Sequence, residues 1–282
     1  MTAPGTPDPL TEPLPAAVAQ ASGRLIRAVP YADRPGFRPL LADVHLPSCR
    51  APAPVLLFVH GGGWRLGSRT QFCPTWADWE PGAFARLVDA GFAVISVDYR
   101  LSAEAVFPAQ LEDVTAALHW IRTRAADLGV DADRIVAWGE SAGAHLAALL
   151  GLTASPSGSS GLRGVVAWYG PSDLDRMASR GDPASREAQL LGAPAAEAPE
   201  LARAASTALR AHAQAPPFHL AHGTADEAVP AAQSELLAVA LRTAGAEVEL
   251  DLVADAGHLW RGVDGEPIFE RAVDFARRCT AS

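Results

Sequence analysis

The chain has 282 residues, 49% of them hydrophobic and 20% charged, a globular usage that argues against a disordered chain and against a coiled coil. Its formal charge is −9, which speaks against nucleic acid or an anionic membrane surface as a partner, since phosphate binding needs a basic stripe. Three scattered cysteines, Cys49, Cys73 and Cys279, form no C-x-x-C pair, so neither a disulfide framework nor a thiolate zinc site is expected.

Residues 1–23 carry five prolines and lack a cationic start followed by an apolar run. They are expected to be a flexible N-terminal arm, not a secretory signal. Val55–Val59 and Ala142–Leu152 are too short to span a bilayer. The cysteine usage fits a reducing compartment, and a soluble, cytoplasmic protein is expected.

Strands are predicted at Arg24–Tyr31, Leu40–Leu46, Val55–His60, Phe92–Tyr99, Arg134–Trp138, Gly164–Tyr169, Pro217–His222 and Glu247–Val253. The central runs LLFV, AVISV and IVAW are continuously apolar, as in strands covered on both faces. In Gln110–Leu128 the apolar set Leu111, Val114, Leu118 and Ile121 marks one greasy helical face, and Gly129 reads as its C-cap. Ala231–Thr243 and Ile268–Arg278 also read as helices. Ser155–Gly161 reads as a flexible surface loop. The pattern predicts an α/β fold over residues 24–282, a single domain with a mostly parallel eight-stranded sheet and helices on both faces. The first two strands form an antiparallel edge. The Ala/Pro-rich stretch 175–212, after the sixth strand, is expected to be a small helical insertion, a candidate cap over the sheet.

The strongest motif is Gly139-Glu140-Ser141-Ala142-Gly143, between a strand ending at Trp138 and the helix-like AHLAALLGL. Gly-x-Ser-x-Gly in that context is a nucleophile elbow: small neighbours allow a strained turn that lifts the serine hydroxyl above the sheet. Upstream, His60-Gly61-Gly62-Gly63-Trp64 follows another strand. Its unshielded N–H groups can face a developing oxyanion together with that of Ala142. A phosphate cradle would want Lys and Ser/Thr after the glycines, where Trp64 and Arg65 stand. His60 reads as a brace for the loop.

Asp226 and His258 each follow a strand, on the same rim of the sheet as Ser141. The order Ser, Asp, His fits a triad in which His258 takes the Ser141 proton and Asp226 holds the imidazole tautomer. Glu227 and Asp255 are rival acids, Asp255 reading as a turn former. Among the other histidines, His119 and His145 lie in predicted helices, His222 closes a strand as a brace, and His212 and His219 have no companion motif.

HGGGW, VDYRLS, FPAQLEDV, GESAGAHLA and HGTADEAVP together resemble the α/β-hydrolase superfamily. More narrowly, the chain is similar to hormone-sensitive-lipase-like esterases and their bacterial feruloyl-esterase-like (BD-FAE-type) branch, from about Arg24 to Phe275. The resemblance implies the α/β-hydrolase fold, a catalytic triad of Ser141, Asp226 and His258, and an oxyanion hole of Gly61, Gly62 and Ala142. It also implies bracing roles for Asp98, Arg100 and Glu140. Two features depart from the pattern: Ala144 stands where relatives often carry a second glycine, and Leu259-Trp260-Arg261 places bulk and charge beside His258.

Trp64, Phe72, Trp76, Trp79 and Trp260 are candidates for a substrate-binding aromatic wall, with burial in the core as the competing role. Arg65, Arg69 and Arg261 are candidates for pairing with a substrate carboxylate, with plain surface charge as the alternative. The resemblance implies a serine carboxylesterase acting on small to medium esters, aromatic or acetylated ones among them, with no metal and no organic cofactor. A kynurenine-formamidase-like amide hydrolase, an acyl-transferring, lactonising or cyclising enzyme, and a catalytically silent ligand-binding fold stay open.

Overall fold

A computed structural model of the chain describes residues 8–48, 52–153 and 161–281. Its strands are β1 (Val18–Gln20), β2 (Gly23–Ala32), β3 (Leu40–Leu46), β4 (Ala53–Val59), β5 (Ala93–Val97), β6 (Val130–Glu140), β7 (Gly164–Trp168), β8 (Phe218–Gly223) and β9 (Val248–Val253). They form one sheet in the order β1-β2-β3-β5-β4-β6-β7-β8-β9. The first three strands and β5 pair antiparallel, and every pair from β5 to β9 is parallel.

The sheet therefore has one strand more than the eight predicted. β1 is three residues long and exposed throughout. A strand that buries no side chain leaves no apolar pattern to read. The proposed surface loop 155–161 lies outside the described residues apart from Gly161. In the N-terminal segment, the Pro9 carbonyl accepts bonds from Trp120 Nε1 and Arg124 Nη1, both at 3.0 Å. Leu10 and Leu14 rest half-buried on the core.

Alternation along the central strands builds two cores. Leu57, Val59, Ile95 and Ala137 point to one face; Leu56, Phe58, Val94, Val136 and Trp138 point to the other. The first face is covered by α2 (Ala109–Thr123), α4 (Ala142–Leu152) and α7 (Ala232–Ala244), the second by α1 (Ala83–Asp89) and α8 (Glu266–Thr280). All of α4 is buried, as a helix apolar all round must be. The predicted helix 110–128 is divided at Arg124 into α2 and the single turn α3 (Ala125–Leu128), which ends at Gly129 with φ +69°, the left-handed cap that glycine favours.

Between β7 and β8 the chain makes α5 (Arg186–Leu191), α6 (Pro199–Ala205) and two short 3-10 turns, Leu174–Arg176 and Thr207–Arg210. This helical insertion is tied to the main body by polar bonds. His145 Nε2 meets the Ala205 carbonyl at 2.7 Å, and Gln233 Oε1 accepts the Ser172 and Asp173 N–H groups at 2.7 and 2.8 Å. The Phe107 N–H donates to the Leu190 carbonyl at 2.8 Å. Among the described residues no helix is long and apolar enough to cross a membrane.

Candidate active site

Ser141 sits between the end of β6 and the start of α4 with φ 52° and ψ −118°, a conformation that costs energy for a non-glycine residue. Its N–H donates to the Trp168 carbonyl at 2.8 Å, and its carbonyl accepts the His145 N–H at 3.1 Å. The flanking glycines are required by close approach. A Cβ at Gly139 would stand 2.2 Å from the Gly143 oxygen, and one at Gly143 would stand 2.0 Å from the Val59 oxygen. The departure at Ala144 is accommodated by Gly170, where an added Cβ would lie only 2.8 Å from the Ala144 methyl.

Asp226 follows β8 and His258 follows β9. The structure brings both to Ser141. Ser141 Oγ is 3.1 Å from His258 Nε2, and His258 Nδ1 is 2.6 Å from Asp226 Oδ2. The network assigns the tautomer: Nδ1–H donates to the carboxylate, which leaves the Nε2 lone pair facing the serine hydroxyl. Asp226 Oδ1 accepts the Ala228 and Val229 N–H groups, each at 2.9 Å. Burial pushes the Asp226 carboxyl upward, but bonds from His222, His258 and the Val229 N–H outweigh it and hold the group below the usual carboxylate range. The rival acids Glu227 and Asp255 are exposed, and the Asp255 N–H caps Thr224 Oγ1 at 3.0 Å.

The glycine loop lies across from the elbow. His60 donates through Nδ1 to the Gly61 carbonyl at 2.7 Å and stacks on Tyr99 at 4.4 Å. Burial lowers its pKa to about 4, so it is a neutral brace. Gly62 has φ +111°, and a Cβ there would stand 2.1 Å from the Leu66 oxygen. The Gly61 backbone lies against Glu140 and lowers the pKa of that carboxyl.

Glu140 is fully buried, and that burial raises its carboxyl to about 7 against the bonds donated by Tyr169 and Gly61. Tyr169 Oη donates to Glu140 Oε2 at 2.7 Å, and its ring meets the His258 ring at 4.9 Å. One buried acid thus connects the glycine loop to the wall behind the imidazole. Nearby Cys73 is a neutral thiol, pushed up to about 12 by burial and by the charge of Glu140.

Ser141 and His258 open into a pocket of about 240 Å³, lined also by Gly62, Phe72, Arg186 and Leu259. Of the aromatic residues proposed for its wall, the structure brings Phe72 there. Trp64, Trp76 and Trp260 do not line it. Trp64 and Trp260 are each 1% exposed; Trp64 packs edge-on to His145 at 5.2 Å, and Trp260 packs on Tyr169 at 4.9 Å. Trp76 stacks on Trp79 at 4.3 Å and faces a separate cavity of about 620 Å³. Trp64 and Trp260 bury large apolar surface in the core, although among the described residues their indole N–H groups find no partner there.

Of the three candidate arginines, Arg65 lines the pocket. Arg69 is taken up by Asp43 and Asp98, both at 2.8 Å, and Arg261 lies by Trp79 and Trp260. Asp98 therefore braces the segment after the glycine loop, while Arg100 fixes the start of α2 through Asp113 at 2.8 Å. Arg186 escaped sequence reading because it arrives from the insertion, whose short helices carry no motif. Among the described residues no group of three His, Cys, Asp or Glu side chains is placed to hold a metal ion.

A family model, BD-FAE, matches residues 42–241. Among curated proteins the chain is similar to esterase LipQ of Mycobacterium tuberculosis, 35% identical over 232 residues that cover 77% of this chain and 53% of LipQ. The chain thus spans about half the length of that relative. Among solved structures it is similar to a truncated form of a carbohydrate esterase from gut microbiota, with TM-score 0.81 and 27% identity over 95% of this chain and 100% of that one. It is also similar to the propionate-bound Est2 esterase of Thermogutta terrifontis, with TM-score 0.72 and 27% identity over 90% of this chain and 95% of that one.

Proposed function

From its membership of the BD-FAE family of α/β-hydrolase esterases, to which the chain belongs, we propose that this protein hydrolyses carboxylic esters through an acyl-enzyme on Ser141. The observation that carries the reading is the unbroken relay Ser141 Oγ to His258 Nε2 at 3.1 Å and His258 Nδ1 to Asp226 Oδ2 at 2.6 Å, at the floor of a pocket.

In this mechanism Ser141 Oγ attacks the ester carbonyl while its proton passes to His258 Nε2. The ionised Asp226 holds Nδ1–H and stabilises the imidazolium that forms. The developing oxyanion is met by N–H groups of the glycine loop, Gly61 and Gly62, and of Ala142, each donor being worth about 3 kcal/mol in the transition state. The imidazolium returns its proton to the departing alkoxide. A water, deprotonated by His258, then cleaves the acyl-serine and releases the acid.

A pocket of about 240 Å³ lies below the usual range for ligand sites, which starts at about 300 Å³, and this supports small esters over large ones. Similarity to an esterase with propionate bound supports short acyl groups, and similarity to a carbohydrate esterase supports a sugar-bearing alcohol side as one candidate. The test is hydrolysis of 4-nitrophenyl esters of increasing acyl length, with methyl ferulate and N-formylkynurenine alongside and Ser141→Ala as the blank. Turnover of short esters that vanishes in the blank is expected. Turnover of N-formylkynurenine with every ester left intact would replace the reading with an amide hydrolase.

A further inference from the structure

The pocket at Ser141 is walled by two arginines, Arg65 and Arg186, that approach from different parts of the chain. Arg65 directly follows the glycine loop. Arg186 opens α5 in the insertion, and a Cβ on Gly63 would stand 2.6 Å from its Cδ. Its aliphatic stem therefore lies on the oxyanion loop, in space that exists because residue 63 has no side chain.

Among the described residues neither guanidinium has an acidic partner. By contrast Arg69, which follows the same loop, is taken up by Asp43 and Asp98, and Arg100 by Asp113 and Glu112. The acid on the pocket wall is Glu140. It is buried and engaged by the Tyr169 hydroxyl, so it does not neutralise them. Arg65 is exposed and Arg186 half-buried, so their charge reaches the mouth of the concave wall, where a cluster of one charge sign draws in the opposite sign, and the planar guanidinium fork matches a carboxylate in two-point geometry.

We propose that Arg65 and Arg186 select esters bearing a carboxylate close to the scissile bond. This rests on the ester-hydrolase reading above and narrows its substrate class. The insertion between β7 and β8 then acts as the carrier of a specificity residue, delivering Arg186 to the oxyanion loop.

Two matched pairs of substrates test this. Monomethyl succinate against dimethyl succinate puts the charge on the acyl side; 4-acetoxybenzoate against 4-acetoxybenzamide puts it on the alcohol side. The quantity read is the ratio of kcat/KM, charged over neutral, within each enzyme form, so that losses of folded protein cancel. In at least one pair the wild-type ratio should exceed unity. It should fall about 10-fold in Arg186→Gln or Arg65→Gln, the scale of one charge-assisted hydrogen bond. It should also recover in part in Arg186→Lys and fall with added salt. Turnover of all four esters with no preference for the charged member, or a ratio indifferent to both Gln variants, would overturn the proposal alone. No turnover of any ester would overturn the hydrolase reading and the proposal with it.

Discussion

His222 Nε2 lies 3.4 Å from Asp226 Oδ2, the same oxygen that receives His258 Nδ1 at 2.6 Å. His222 is itself pinned, by the Val229 carbonyl at 2.8 Å and by Ser234 Oγ at 2.7 Å. One buried imidazole thus fixes the acid that orients the other. His222→Ala is expected to lower kcat about 10-fold with KM little changed, the effect of losing a buried polar neighbour of the carboxylate that holds His258. Steady-state kinetics check it. A rise in KM at constant kcat would show that His222 shapes the pocket instead of positioning Asp226.

Asp226→Asn keeps the shape of the acid but removes its charge and its grip on the imidazole tautomer. A fall in kcat of about 10⁴-fold is expected, with the thermal midpoint moved far less than activity. Glu227→Gln, on an exposed neighbour, should leave both unchanged, and the two variants assayed together decide which acid acts.

The elbow glycines give a prediction about stability. Gly143→Ala would put a methyl 2.0 Å from the Val59 oxygen, and overpacking of that kind costs about 1–3 kcal/mol. Ala144→Gly removes a methyl that faces Gly170 and should cost about 1 kcal/mol through helix propensity. Denaturant midpoints should therefore rank wild type above Ala144→Gly and Ala144→Gly above Gly143→Ala.

The buried Glu140 links stability to pH. Its folded-state pKa of about 7 lies above the ordinary 4.5. Between those values the folded chain keeps a proton that the unfolded chain has released, so this group's contribution falls as the pH rises from 4.5 to about 7. Asp226 acts in the opposite sense: its depressed value stabilises the fold above the ordinary 3.8 and that contribution is lost in acid. Glu140→Gln is expected to flatten the decline of the melting temperature between about pH 4.5 and about pH 7. A decline of equal steepness in the variant would show that Glu140 is already ionised across that range.

How much of this could be read from the sequence follows from what each feature buries. β4, β5 and the distal half of β6 are covered on both faces, so their apolar runs announce them. The elbow is legible because its geometry tolerates almost nothing but glycine at Gly139 and Gly143. The places of Asp226 and His258 after strands suffice to predict that they share a rim with Ser141, and the structure sets both beside it. What escaped has no local mark. β1 buries nothing. The aromatic residues after the glycine loop look alike in sequence, and only three-dimensional packing separates Phe72, on the pocket, from Trp64 and Trp260 in the core. The insertion is too short in its helices for periodicity to show which face carries Arg186. The break at Arg124 was hidden because the apolar stripe of α2 runs on through Leu128.

The central claim is that Ser141 is the nucleophile, and the most direct test is covalent. The protein, its Ser141→Ala variant and its Asp226→Asn variant are treated with a fluorophosphonate, digested and mapped by mass spectrometry. The account predicts a single adduct on the peptide containing Ser141, absent in Ser141→Ala and slow to form in Asp226→Asn. An unlabelled Ser141 in folded protein, or an adduct on another serine that tracks loss of ester turnover, would contradict it.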